Sequence, residues 1–211
     1  LSGYLDAVCR DWNAVIYGDY EVVMPIPIKK MWTGRLRFDM PLFIQQLGII
    51  GLKDSGHELK NQFIELASGL YPNFIHSFNH ENGLIELDGF KSTDRTNYEL
   101  DLNKSYEAIR QGFSDNLIRN LKKSSNAKLT FRLSTKFDLL ESFISHYSNS
   151  DDSSPKHVRA IKEITEIKQL HFSSKIFSVC GSGDPIAVCL APSLGMRITL
   201  LIPRSSDDGR S

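Results

Sequence analysis

The run from residue 105 to 124 restricts the fold of this chain more than any other stretch. Tyr106, Ile109, Phe113, Leu117 and Leu121 step by three or four positions, which gathers them on one face of a helix at about 100° per residue. A face of that kind has to lie against a sheet or another helix. Strands are available nearby. Residues 128–133 alternate, and 175–180, 185–191 and 196–203 read as a three-stranded antiparallel meander with turns at Gly181-Ser182-Gly183-Asp184 and at 192–195. Further helices are expected over 137–147, where Phe137, Leu140, Phe143, Ile144 and Tyr147 recur, and over 155–170, opened by Ser154-Pro155. The pattern predicts an α/β (α+β) chain whose mixed, mostly antiparallel sheets are flanked by helices.

The first half reads differently. Residues 14–17 and 20–28 are β-rich runs around Gly18-Asp19 and predict a hairpin. Pro25 and Pro27 cannot donate to a ladder, so the second run is expected to be an edge strand or to leave the sheet there. Residues 33–51 read as irregular chain with apolar anchors. Residues 58–68 carry Leu59, Phe63, Leu66 and Ala67 at helical spacing, closed by Gly69 and Pro72. Short strands are expected over 74–78, 84–87 and 97–102, with a polar connection at 92–97. That connection divides the chain into 1–96 and 97–211.

Composition narrows the function classes. With 211 residues, 41% of them apolar, and 12 Phe, there is material for a proper core. Twenty-five basic and 25 acidic residues cancel, so no global field draws in nucleic acid or an anionic surface, and any basic site must be local. Cys9, Cys180 and Cys189 are too few and too scattered for a disulfide framework or a zinc site, which fits a reducing, cytoplasmic setting. The apolar runs are too short to span a bilayer. The chain opens on Leu1 rather than Met, which points to a start further upstream.

Five short segments carry a resemblance. Tyr98-Glu99-Leu100-Asp101-Leu102-Asn103-Lys104-Ser105-Tyr106-Glu107 and Phe113-Ser114-Asp115-Asn116-Leu117-Ile118-Arg119-Asn120-Leu121-Lys122-Lys123 are similar to the opening of the second unit in FemAB-type proteins of the GNAT-like acyltransferase class. Trp12-Asn13-Ala14-Val15-Ile16-Tyr17-Gly18-Asp19-Tyr20, Met24-Pro25-Ile26-Pro27 and Gln45-Gln46-Leu47-Gly48 resemble their first unit, particularly in uncharacterised bacterial members. The resemblance implies two GNAT-like units and transfer of an acyl or aminoacyl group, from acyl-CoA (acetyl-CoA) or an aminoacyl donor, to a small-molecule or peptide amine. It also implies a cofactor-binding helix after the fourth strand. Here that strand is followed only by Ser205-Ser206-Asp207-Asp208-Gly209-Arg210-Ser211, so the second unit is expected to lack its C-terminal part. A non-catalytic GNAT-like binding or assembly module is the alternative. A homodimer is open to either, and a tRNA donor would need only a local basic patch.

The candidate site residues follow from position. On a continuous helix, Arg119, Lys122 and Lys123 lie opposite the apolar stripe, either as a solvated last turn that suits the helix dipole or as an anion site for a cofactor phosphate. Ser205, Ser206, Gly209 and Arg210 would form the lip of the donor site. Asn116 and Asn120 fall at the margin of the stripe, as ties to a neighbouring loop or as substrate contacts. Gln45 and Gln46 can each donate and accept, as positioning groups must. Tyr17 and Tyr20 flank the first turn and read more readily as packing residues. Glu86, Glu99 and Asp101 are candidate bases without ranking, and no catalytic residue is assigned. Gly181-Ser182-Gly183 is a hairpin turn rather than a dinucleotide loop. His76 and His80 are four apart, too far along a strand to share one metal, and no metal is expected.

Overall fold

A computed structural model describes residues 2–9, 11–51, 57–71, 74–147 and 154–206. In chain order the elements are α1 (Ser2–Val8), β1 (Asp11–Tyr17), β2 (Val22–Lys30), β3 (Leu36–Phe38), α2 (His57–Leu70), a 3-10 turn (His80–Asn82), α3 (Tyr106–Gln111), α4 (Asp115–Asn126), β4 (Thr130–Ser134), α5 (Phe137–Tyr147), α6 (Pro155–Glu166), β5 (Phe172–Gly181), β6 (Asp184–Leu194), β7 (Arg197–Ile198) and β8 (Leu201–Ser205). The fold is α+β, with two antiparallel sheets and flanking helices. The chain forms two compact units. One comprises Leu1–Thr93 with Ser154–Ser173, the other Asp94–Ser153 with Ser174–Ser211. Helix α6, read from the sequence as part of the second half, belongs to the first unit.

In the first unit, β1 and β2 form the expected hairpin with Tyr17 opposite Val22, and Gly18 and Tyr20 take left-handed backbone in the turn. The sheet order is β1-β2-β3, so the proline-bearing strand is central rather than an edge. Parity resolves the conflict, because alternate residues of an antiparallel strand bond opposite neighbours. Val23 exchanges hydrogen bonds with Ile50, and the Pro27 carbonyl accepts from Asp39 N–H at 3.3 Å. Odd-numbered residues, the prolines included, therefore face away from β1, and β3 pairs with β2 only over residues 28–30. The missing N–H groups fall where no ladder needs them.

Met24, Ile26, Phe38, Ile49, Phe63, Ala67 and Tyr71 make the core of this unit. Tyr71 accepts a hydrogen bond from the Asn13 amide at 3.0 Å, which ties the C-terminal end of α2 to β1. Helix α1 packs on α6, where Leu5, Ile161 and Ile164 are buried. Pro155 starts α6 as expected, although Ser154 caps it through its carbonyl rather than its side chain.

In the second unit, β4, β5, β6 and β7 follow one another across the sheet, and β8 also pairs with β6. The β5–β6 turn places Ser182 and Gly183 at positive φ, which suits a tight hairpin. Along β5 the residues Ile176, Ser178 and Cys180 are buried, while Phe177 and Val179 point to the other face. Helix α5 packs on β6 and β8 and buries Phe137, Leu140, Phe143 and Ile144.

Further sequence expectations are corrected. The long helix over 105–124 is two helices, because the backbone leaves helical geometry after Gly112 and Ser114 caps α4 by accepting from Leu117 N–H at 3.3 Å. Residues 74–78 and 84–87 are not ladder strands, and Phe74 makes only an isolated bridge to Phe38. Residues 97–102 form no strand. The last strand is interrupted between β7 and β8, where Thr199 N–H turns back to the Pro192 carbonyl at 3.0 Å.

Candidate functional site

Gln45 and Gln46 sit at the start of a segment held by side chains in place of a neighbouring strand. Leu47 N–H bonds the Ser77 carbonyl at 2.9 Å, and Gly48 N–H donates to His76 Nε2 at 3.2 Å. The Asn82 amide then behaves like a strand residue toward Ile49, accepting from its N–H and donating to its carbonyl, both at 2.8 Å. Lys60 reaches over from α2 and donates to the carbonyls of Asn82 and Leu84 at 3.1 and 3.0 Å. Gly48 has φ 79, and a Cβ there would lie 2.3 Å from Asn82 Oδ1, so only glycine fits. The clasp leaves Gln45 exposed and Gln46 half-buried. Burial pushes His76 down to about pH 3, so the ring is neutral and its Nε2 can accept.

The helical candidates all lie on α4. Arg119, Lys122, Lys123, Asn116 and Asn120 are exposed, and Asn116 and Asn120 are therefore not at a buried margin. Lys123 stands in the last turn, where a cation suits the carbonyl end of the helix. Among the candidate bases, Glu99 lies 3.9 Å from Arg197, Asp101 accepts from Asn103 N–H at 3.0 Å, and Glu86 is exposed. Tyr17 and Tyr20 are exposed too. His76 serves the clasp, while His80 opens the 3-10 turn.

A concave feature of the second unit is an open groove of about 310 Å³, lined by Phe177, Val179, Ala187, Val188, Cys189, Pro203, Arg204 and Ser205. Its floor is irregular. The β6–β8 register shifts between Val188 and Leu190, and across from it Ile202 takes φ 52. A β-branched residue there is strained. The groove is apolar apart from Arg204 and Ser205 on β8. Burial raises the pKa of the Cys189 thiol, which keeps it a weak nucleophile; its Sγ lies 3.4 Å from the Leu201 carbonyl, to which it donates.

Of the lip residues, Ser205 lines this groove. Ser206 is buried, and its N–H and hydroxyl both bond the Ile186 carbonyl, at 2.8 and 3.2 Å, so it holds the end of β8. Gly209 and Arg210 lie outside the described residues. Arg119, Lys122 and Lys123 are not among the groove's lining residues. Phe177, Val179, Cys189, Pro203 and Arg204 escaped the sequence reading. Their signal was present in β5, where apolar residues occupy both faces, the pattern of a strand covered on two sides.

No protein-family model matches the chain, and no curated protein does. Among the described residues no group of three or more His, Cys, Asp or Glu could hold a metal ion, and no helix is long and apolar enough to cross a membrane.

Proposed function

We propose that the chain is a GNAT-like, FemAB-type unit that binds an acyl thioester such as acetyl-CoA and passes its acyl group to an amine. The observation that carries this reading is the apolar groove beside the irregular β6–β8 pair. Phe177, Val179, Ala187 and Pro203 suit the apolar arm of a thioester. Arg204 supplies a cation at the wall, and Arg119, Lys122 and Lys123 supply others elsewhere in the unit for phosphate groups. In the transfer, the amine nitrogen forms a bond to the acyl carbon, the carbon–sulfur bond breaks, and the ammonium proton ends on the departing thiolate. The work asked of the protein is positioning. Three cysteines without disulfides fit a cytoplasmic setting.

Titration calorimetry with acetyl-CoA and a longer acyl-CoA tests the reading. Ala187→Trp, which fills the groove, is expected to weaken binding by at least about tenfold, with a melting curve confirming that the variant folds. Arg204→Ala serves as the milder variant. Undiminished binding in both would remove the groove as the donor site, and loss on Arg119→Ala with Lys122→Ala alone would move it to α4.

A second reading has an observation of its own. Strand β4 stands at the end of the sheet order with Phe131 and Leu133 exposed, as a binding or assembly module, including a homodimer, would need. Light scattering across a concentration series separates it from the first.

A further inference from the structure

The β2–β3 hairpin ends in a tip whose chemistry is unlike the rest of the first unit. Its turn is fixed by backbone hydrogen bonds, from Met31 N–H to the Arg35 carbonyl at 2.8 Å and from Gly34 N–H to the Met31 carbonyl at 2.9 Å, with Gly34 at φ 81. At the apex Trp32 is 94% exposed, and Leu36 beside it is 48% exposed. The stem carries Lys29, Lys30, Arg35 and Arg37 within nine positions. Asp39 engages two of these, lying 3.7 Å from Lys29 and bonded to Arg37. Lys30 and Arg35, the pair nearest the apex, have no ion pair among the described residues.

An exposed indole on a defined turn, ringed by cations, matches two kinds of partner. Single-stranded nucleic acid is held in a groove by several rings that stack successive bases. This tip is convex and offers one ring. A convex tip with one indole and an aliphatic neighbour suits a deformable surface that is apolar below and charged above. Indoles concentrate at the headgroup level of bilayers, and basic side chains beside them are drawn to anionic headgroups. We infer that the Trp32 tip docks the first unit onto an anionic lipid surface, with Trp32 and Leu36 entering the headgroup layer and Lys30 and Arg35 meeting its charges. The zero net charge of the whole chain makes this attraction local to the tip, so docking is weak, reversible and salt-dependent.

The 211-residue chain is sedimented with vesicles of phosphatidylcholine alone and of phosphatidylcholine mixed with phosphatidylglycerol, while tryptophan emission is followed. Trp12 is half-buried, with its Nε1 donating to Asp6 at 2.8 Å, so a blue shift on binding reports Trp32. Binding is expected with the anionic vesicles only and should fall with added salt. Trp32→Ala, and Lys30→Gln with Arg35→Gln, should each weaken it by at least about tenfold. These side chains are exposed and outside the Asp39 cluster, so the fold is retained. Failure to bind anionic vesicles, or binding undiminished in both variants, overturns the inference. It is equally overturned if a single-stranded oligouridylate shifts Trp32 emission and the vesicles do not.

Discussion

His76 shows how one side chain can make stability depend on pH. Its ring lies between Phe38, Phe74 and Phe78, with centroids 4.9, 5.9 and 4.4 Å away, and its Nε2 receives the Gly48 N–H. A proton on Nε2 would abolish that bond and place a charge among aromatic rings. Burial accordingly lowers the folded pKa to about 3 from an ordinary 6.5. Above pH 6.5 both states are neutral and the clasp contributes fully. As pH falls from 6.5 toward 3, the unfolded chain takes up a proton that the folded chain refuses. Stability is therefore lost over that window, at up to roughly 1.4 kcal/mol for each unit of pKa difference. Urea unfolding midpoints should decline between pH 7 and pH 4, and His76→Gln should flatten the decline. An unchanged slope in that variant would show that His76 is not its source.

At the scale of elements, the split between α3 and α4 separates what periodicity can say from what it cannot. The apolar spacing runs on from Tyr106 to Leu121, yet Tyr106, Leu117 and Leu121 are 59, 40 and 43% exposed, and Ser114 begins a new helix. Spacing reports which side chains would share a face, while the backbone is decided by Gly112 and by a serine able to cap. Ser114→Ala should cost α4 about 1 kcal/mol, read as faster hydrogen exchange at residues 117–119 with no change in α5. Equal exchange in both proteins would mean that packing, not the cap, sets the start of α4. Elements with strong periods and clear punctuation, namely the first hairpin, α2, β4, α5 and the β5–β6 turn, were legible in the sequence. Strand β3 was not, because three residues carry no period, and their partners on β2 set the pairing. Residues 74–78, which supply part of the clasp around Gly48, were read as strand, and the Gly48 segment itself as irregular chain. Its bonds come from amide and imidazole groups distant in sequence, which leave no local pattern. The site was legible to a similar degree: Ser205 was marked by its place after the last strand, but the groove depends on how β5, β6 and β8 come together.

For the whole molecule, the decisive fact is that the first unit is not continuous in sequence. The chain leaves it after Thr93 and returns at Ser154 with α6, and that helix supplies Ile161 and Ile164, buried at 1 and 0% exposure. Residues 1–93 alone would keep the β1-β2-β3 sheet and α2 but lose the partner of α1, exposing Leu5. Burying side chains of this kind is worth about 1.5–3 kcal/mol each, a large share of the stability of a domain this small. A fragment of residues 1–93 should therefore melt well below the corresponding transition of the full chain. Adding a peptide of residues 154–173 should raise its melting temperature progressively, with the logarithm of peptide concentration above Kd, because a segment that binds only the folded state stabilises it by mass action. Ile161→Ala with Ile164→Ala in the peptide should remove the effect. A fragment that melts at the same temperature with and without the peptide would show that α1 needs no cover from α6, and would return the boundary to a single cut in the chain.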